Sequence, residues 1–249
     1  ATTHMVTMPY LQIPIVESGE ALVPIPINQF AYQTPHAYEA LGAPYGEASP
    51  YYVREQVLQA LMKAQQVLQL HTPHWQIFIF DAYRPVAVQE FMVNTAFQEA
   101  LTQQNLVKED LTETQEEALW EQVLKIWAIP SLDPLTPPPH STGGAVDVTL
   151  YDRNAQSLID MGSPIDEMSM RSQPNHFAQL AQDSDLSEAE RSAVQTAAQH
   201  RQILYEAMAA SGFQRHLGEW WHFCLGDQMW AWLTRQQSGE DAIAKYGRL

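Results

Sequence analysis

The sequence contains one cysteine, Cys224, among its 249 residues. An intrachain disulfide is therefore excluded, and so is a zinc site built on several cysteines. A metal bound by this chain must take its ligands from His, Asp and Glu. A single cysteine is compatible with a reducing compartment, although many exported proteins also lack disulfides.

Basic residues are scarce as well. The chain has 13 Lys and Arg against 29 Asp and Glu, which gives a net charge of −16. Proteins that bind nucleic acids cluster Lys and Arg against the phosphates, so we expect no nucleic-acid partner. No run of about 20 apolar residues is present, and we therefore expect no membrane span.

No signal peptide is recognisable in the sequence. The first five residues, ATTHM, resemble a cloning remnant, so a natural leader could have been removed. We expect a cytoplasmic location, or a periplasmic or exported one if a leader was lost.

The hydrophobic pattern mixes long helices with short, scattered strands. The predicted helices are 51–70, 86–104, 108–128 and 188–211. The predicted strands are 11–16, 21–25, 75–83, 144–150 and 219–225, and QMWAWL (228–233) is either a strand or a turn of helix. Such a mixture favours an α+β fold over a doubly wound parallel sheet.

The stretch PPPHSTGGAVDVTL (137–150) combines a rigid approach, a histidine, two glycines and an aspartate in an apolar strand. A buried carboxylate needs a partner, because an unpaired buried charge is costly. Gly143 and Gly144 permit a tight turn, so His140 can fold back to meet Asp147. His and Asp together are two of the three protein ligands that catalytic zinc sites use.

The best candidate for a third ligand is His222 in GEWWHF (218–223), with Glu219 nearby as a base for a metal-bound water. Positions i and i+3 of a regular strand face opposite sides, so Glu219 must lie at the strand's start or at a bulge. Each element alone is a weak signal, since a lone buried histidine is more often a hydrogen-bonded core residue.

In combination, the motifs resemble a known family. PHSTGGAVD resembles the S-x-H-x-x-G-x-A-x-D signature of the zinc D,D-peptidases of cell-wall metabolism, a hedgehog-like group, and EWWHF resembles their second signature. DAYRP (81–85) and MGSPID (161–166) resemble further motifs of one branch, the zinc D-alanyl-D-alanine dipeptidases known from vancomycin resistance. The four motifs follow the family's order and span residues 81–223.

The resemblance implies an α+β fold in which a small central antiparallel sheet carries the zinc site and helices flank it. It implies that one Zn²⁺ per chain is held by His140, Asp147 and His222. Glu219 would take a proton from the zinc water and pass it to the departing amine, and Arg84 would stabilise the oxyanion.

The resemblance further implies a small dipeptide substrate. Asp166 would bind the ammonium group of the substrate, and Tyr32 would line the pocket. A site that caps the amino end of its substrate admits a dipeptide and excludes longer chains.

Residues 1–249 are accordingly expected to form a single dipeptidase-like domain, with 101–139 as a family-variable insertion that carries no recognisable motif. The family usually has Ser where this chain has Pro138 and Pro139. The hydroxyl groups that would help to position the substrate are therefore missing at these two positions.

Two other functions remain open at this level. A D,D-carboxypeptidase or peptidoglycan endopeptidase would have the same zinc core in an open cleft. A zinc-containing binding domain that has lost catalysis is disfavoured, because Glu219 and Arg84 are both retained.

Several further side chains are weaker candidates for the site. His71 and His74 flank Pro73 and mark a surface turn more often than a metal pair, and Cys224 is more often a buried structural thiol than a metal ligand. His176 and His216 lie near motifs, where each is either a neighbour of the ligands or a plain surface histidine.

Overall fold

The computed structural model describes residues 8–249, so the expected cloning remnant at residues 1–5 lies outside the described part. The α-helices in that part are α1 (Ala37–Ala40), α2 (Glu55–His71), α3 (Val86–Gln103), α4 (Glu113–Leu124), α5 (His176–Leu180), α6 (Glu188–Ala210) and α7 (Gln228–Ser238). The strands are β1 (Leu22–Pro24), β2 (Ala31–Tyr32), β3 (Tyr52–Arg54), β4 (Trp75–Asp81), β5 (Ala145–Asp152), β6 (Ser157–Leu158), β7 (Gln214–Arg215) and β8 (His222–Cys224). The predicted α+β class is confirmed.

The central sheet has the order β2-β4-β5-β8-β7, with β6 added at one end of β5. Neighbours from β4 to β7 are antiparallel, as expected. The sheet is nevertheless mixed, because β2 pairs with β4 in parallel. Strands β1 and β3 form a separate antiparallel pair.

The main hydrophobic core lies between this sheet and helices α2 and α6. Val57, Leu61 and Leu204 from the helices are buried in one cluster with Ile77 and Val148 from the sheet. These helices form because apolar residues recur at helical spacing along one face. The core thereby fixes β4 and β5, which carry part of the site.

A second cluster joins α3 and α4 to the aromatic residues Tyr38, Tyr45 and Trp127. Helix α7 packs separately against the N-terminal 3₁₀ turn Pro9–Gln12, where Tyr10 and Met229 are buried together. No helix in residues 8–249 is long and apolar enough to cross a membrane.

Three local predictions are corrected by the structure, and QMWAWL, left open between strand and helix, is helical. The strand expected at 11–16 is wrong, because Pro9 starts a 3₁₀ turn there and only Ile15 makes an isolated bridge, to Ala244. The helix expected at 108–128 is shorter, since Thr112 caps it and α4 begins at Glu113.

QMWAWL lies in helix α7, whose first turn is capped by the Asp227 carboxylate accepting from the Trp230 backbone N–H at 2.8 Å. The strand expected at 219–225 is reduced to β8, because the Trp220 N–H bonds the Ser172 carbonyl outside the sheet. Glu219 therefore precedes the strand.

The capping box at the start of α6, which the sequence predicts, can be tested by mutation. Ser187 Oγ accepts from the Glu190 backbone N–H at 3.1 Å, and the Glu190 carboxylate accepts from the Ser187 N–H at 2.9 Å. We expect Ser187→Ala to lower the free energy of unfolding by about 1 kcal/mol, measured by urea denaturation. Ser192→Ala, at an exposed position inside the same helix, is the control and should not destabilise the protein. Equal unfolding free energies for Ser187→Ala and the parent protein would contradict the capping role.

Candidate active site

Three side chains of the site lie in one row across neighbouring strands. Asp81 on β4 is directly opposite Asp147 on β5, and Asp147 is directly opposite His222 on β8. A register shift between Ile79 and Asp81 brings Asp81 into this row. Bulges of this kind commonly re-aim side chains beside active sites.

His140 joins the row from outside the sheet. It lies on the 3₁₀ turn Pro139–Thr142, which ends at Gly143 in the left-handed conformation, with φ of 77°. A Cβ at Gly144 would lie 2.7 Å from the Leu225 carbonyl oxygen, so only glycine fits this close approach. The two glycines thus allow the fold-back that the sequence predicted.

The structure brings the three predicted ligands together. His140 Nε2 lies 3.2 Å from Asp147 Oδ1, and His222 Nδ1 lies 3.3 Å from the same oxygen. One donor atom from each of the three residues lies within 4.8 Å of the others, and all three residues are buried. This His-Asp-His group could hold a metal ion.

The ring orientation of His140 suits a ligand. Its Nδ1 lies 2.7 Å from the Ala82 carbonyl oxygen, which can accept the Nδ1 proton, and this leaves Nε2 as the nitrogen that could bind a metal. Burial by itself raises the pKa of Asp147, but His140 and His222 hold it well below its usual range. Asp147 is therefore anionic.

Glu219 lies beside this group, just before β8. Its Oε2 is 3.7 Å from His222 Nδ1, and its buried Oε1 has no hydrogen-bond partner in the described part of the chain. Burial and the carboxylates of Asp147 and Asp166 raise the pKa of Glu219 well above its usual range. Because Glu219 precedes the strand, the opposite-face difficulty of positions i and i+3 does not arise.

Arg84 is held in the site by several acceptors. Its Nε and Nη2 donate to Asp81 Oδ2 at 3.0 and 2.7 Å, and its Nη1 donates to Gln89 Oε1 at 2.7 Å. A further contact of 3.4 Å joins Nη2 to Asp147 Oδ2. Burial alone lowers the pKa of Arg84, but Asp81 and its neighbours raise it, so the guanidinium stays charged.

These groups face one cavity, which Asp166 also lines. Burial and the Asp147 charge raise the pKa of Asp166 to about 7. Asp147, Asp166 and Glu219 line the cavity with the single guanidinium of Arg84, and a bound cation would favour the charged forms of these carboxyl groups.

A roof segment, residues 124–139, covers part of the cavity and belongs to the predicted insertion. Pro138 and Pro139 line the cavity. The hydroxyl groups that the roof segment contributes to the cavity lining belong to Ser131 and Thr136, which are hydrogen-bonded to each other at 2.8 Å. Gln89 connects the roof to the site, because its Nε2 donates to the Ala128 carbonyl at 2.7 Å while its Oε1 accepts from Arg84.

The remaining predicted residues lie elsewhere or play supporting parts. Tyr32 is on β2, packs edge-on against Tyr51, and is not among the residues that line the cavity, so its substrate contact stays a prediction. Cys224 is buried with its Sγ 3.7 Å from the Gln214 carbonyl oxygen, as a structural thiol would be. His71 ends helix α2, and neither it nor His176 lines the cavity.

His216, by contrast, does line the cavity. Its Nδ1 accepts from the Gly218 N–H at 2.9 Å, and its Nε2 lies 4.0 Å from Glu219 Oε1. Burial and the nearby His222 lower the pKa of His216 to about 3, so the ring is neutral and presents its Nε2–H toward Glu219.

Sequence reasoning missed Asp81, which anchors Arg84 and lies 2.9 Å from His36 Nε2. The signal was present, since Asp81 opens the same DAYRP motif that contains Arg84. It also missed Tyr38, whose hydroxyl donates to Asp166, because no local pattern connects residues 128 positions apart.

Residues 32–240 match the Peptidase M15 family, described as D-ala-D-ala dipeptidase. The chain belongs to the D-Ala-D-Ala dipeptidase family. The resemblance drawn from the motifs is thereby confirmed, and so is the expectation of a metallopeptidase, since peptidases of this family depend on a metal.

Relatives support the same assignment. A D-alanyl-D-alanine dipeptidase of Synechocystis sp. is 46% identical over 242 residues, which cover 97% of this chain and 96% of the relative. One from Enterococcus faecalis is 30% identical over 172 residues, covering 68% of this chain and 73% of the relative. Among solved structures, the LD-carboxypeptidase LdcB aligns with a TM-score of 0.41 and 14% identity, covering 89% of this chain and 75% of that chain.

For this family member, the shared contacts of Asp147 predict a strong effect on metal binding. We expect Asp147→Ala to weaken the binding of a divalent metal at least tenfold, because it removes the one anion between the two histidines. Isothermal titration with Zn²⁺ measures the affinity and the stoichiometry. Asp185→Ala, at an exposed position, is the control and should leave both unchanged. An unchanged affinity in Asp147→Ala would show that the metal binds elsewhere.

Proposed function

We propose that this protein hydrolyses D-alanyl-D-alanine, or a similar short D-amino-acid dipeptide, in a zinc-dependent reaction. The observation that carries the proposal is the convergence of His140, Asp147 and His222 beside a buried Glu219 oxygen that lacks a partner. The relatives from Synechocystis sp. and E. faecalis, both D-alanyl-D-alanine dipeptidases, support this choice of substrate.

Two imidazoles and one carboxylate fit Zn²⁺, which in catalytic sites takes three such ligands and leaves one position open. His140, Asp147 and His222 would hold one ion per chain. When bound, zinc would lower the pKa of a water molecule and polarise the scissile carbonyl group. The Ala82 carbonyl would keep the His140 ring oriented for this task.

Glu219 is the proposed general base. Glu219 lines the cavity, and its buried Oε1 has no partner among the described residues, so the side chain keeps an unused acceptor for the proton of the attacking water. The same carboxyl group then passes that proton to the departing amine. The neutral His216 ring lies beside it, with Nε2 4.0 Å from Oε1, which is beyond hydrogen-bond distance.

Arg84 is the proposed stabiliser of the oxyanion. A guanidinium has five N–H donors. Nη1 makes one hydrogen bond, to Gln89, among the described residues, so its second N–H remains available for the substrate. Because Asp81 and Gln89 fix the group beforehand, little reorganisation is needed when negative charge develops on the substrate oxygen.

Asp166 is the proposed contact for the ammonium group of the substrate. It lines the same cavity as the proposed base and ligands, and the surrounding carboxyl groups favour a cation there. A carboxylate that pairs with the free amino end would favour a dipeptide over a longer chain. The substrate is accordingly expected to be a small dipeptide.

We also infer that one domain carries this activity. Arg54 donates to Glu17 at 2.6 Å and to the Gly247 carbonyl at 3.1 Å, which ties distant parts of the chain to the site-bearing core. The roof segment supports the assignment of 101–139 as an insertion specialised for covering the cavity.

The role of Glu219 is tested by Glu219→Gln, which keeps the shape of the side chain and removes its basicity. We expect kcat to fall by about 10²–10⁴-fold, since that is the usual contribution of a general base. The zinc content, measured by atomic absorption, should stay at one ion per chain. Glu99→Gln, at an exposed position, should retain full activity. Full activity in Glu219→Gln would contradict the proposed mechanism.

The substrate assignment is tested by offering the zinc-loaded protein D-Ala-D-Ala and a longer peptide that ends in D-Ala-D-Ala. We expect cleavage of the dipeptide and kcat/KM at least a hundredfold lower for the longer peptide, because its amino end is no longer free to pair with Asp166. Release of D-alanine gives the rate. Cleavage of the longer peptide alone would identify a D,D-carboxypeptidase or endopeptidase instead.

A further inference from the structure

Tyr38 contacts both Arg84 and Asp166, the proposed contacts for the oxyanion and for the substrate ammonium. It belongs to the short helix α1 and is 2% exposed. Its hydroxyl group donates a hydrogen bond to Asp166 Oδ2. This tyrosine lies outside the four motifs.

The ring of Tyr38 is held on several sides. The Arg84 guanidinium carbon lies 5.2 Å from its centroid, and the rings of Phe80 and Trp127 lie 5.7 and 5.8 Å away. In addition, the Tyr38 backbone N–H donates to His36 Nδ1 at 3.1 Å. A buried ring packed in this way has few alternative rotamers, so the direction of its hydroxyl group is fixed.

Asp166 itself needs such support. Its backbone has a φ of 70°, in the left-handed region that non-glycine residues rarely adopt. The preceding part of its loop is fastened by Arg201, which donates to the Met161 carbonyl at 2.7 Å and to Ser163 Oγ at 3.1 Å. Within residues 8–249, the Tyr38 hydroxyl is the one hydrogen-bond partner of the Asp166 carboxylate.

We propose that Tyr38 is a positioning residue for substrate binding, which fixes Oδ2 of Asp166 and leaves Oδ1 to accept the substrate ammonium. This inference rests on the proposed role of Asp166. The hydrogen bond favours the charged carboxylate over its protonated form, and only the carboxylate can pair with an ammonium group. Tyr38 acts through Asp166 and takes no part in proton transfer.

The test compares Tyr38→Phe, Asp166→Asn and the double variant with D-Ala-D-Ala as the substrate. Phenylalanine keeps the ring and removes only the hydroxyl group. We expect KM in Tyr38→Phe to rise by about 10- to 100-fold, the usual weight of a hydrogen bond to a charged group, with kcat changed less than about threefold. In the Asp166→Asn background, Tyr38→Phe should have no further effect on KM.

A second measurement separates positioning from general damage to the site. N-propanoyl-D-alanine has the shape of the dipeptide but lacks the ammonium group. Its inhibition constant should be the same in Tyr38→Phe and in the parent protein, whereas KM for D-Ala-D-Ala rises. Both quantities are independent of the fraction of active enzyme, so partial unfolding does not imitate the result.

The matched control is Tyr246→Phe. Tyr246 is also buried and also donates to a carboxylate, Glu20, at 2.9 Å, but it does not line the cavity. Tyr246→Phe should leave KM for D-Ala-D-Ala unchanged.

Three different results would overturn the proposal. An unchanged KM in Tyr38→Phe, together with a raised KM in Asp166→Asn, would overturn the role of Tyr38 alone. An unchanged KM in Asp166→Asn would overturn the ammonium contact on which both proposals depend. Equal weakening of substrate and N-propanoyl-D-alanine in Tyr38→Phe would identify a merely structural role.

Discussion

The buried carboxylate of Asp147 is the interaction on which the rest of the site depends. It contacts His140 from the 3₁₀ turn, His222 from β8 and Arg84 from the turn after β4. An unpaired carboxylate at this depth would cost several kcal/mol. The three partners are therefore needed together to compensate the buried charge. The antiparallel register from β4 to β8 sets the row, and the core behind the sheet keeps the strands from shifting.

The charge balance around Asp147 gives the site its chemical character. Asp147, Asp166 and Glu219 line the cavity with one guanidinium, and burial raises the pKa of the last two carboxyl groups, so a bound cation would stabilise their charged forms. The charged groups are held at separate places in the site, because Arg84 is paired with Asp81 and Asp166 is hydrogen-bonded to Tyr38. Of these cavity carboxyl groups, Glu219 keeps a buried oxygen without a hydrogen-bond partner in the described part of the chain, and this is why it is the proposed base.

Much of the site could be predicted because its residues are adjacent within short motifs. The fold-back of His140 onto Asp147 follows from two glycines, and helix α6 begins at the predicted capping box. Tyr38 could not be predicted, because its contact with Asp166 depends on how α1 packs against a loop 128 residues away. The position of Glu219 outside β8 also depends on a tertiary hydrogen bond, which the Trp220 backbone N–H donates to the Ser172 carbonyl.

The central claim is that one zinc ion and one substrate ammonium share this cavity at fixed places. A crystal structure with Zn²⁺ and a phosphinate analogue of D-Ala-D-Ala, with anomalous scattering recorded at the zinc edge, tests it most directly. One anomalous peak between His140 Nε2, Asp147 Oδ1 and His222 Nδ1, with the ammonium group of the analogue on Asp166, is the predicted result. A peak bound by other residues, or an analogue whose amino end points away from Asp166, would contradict it.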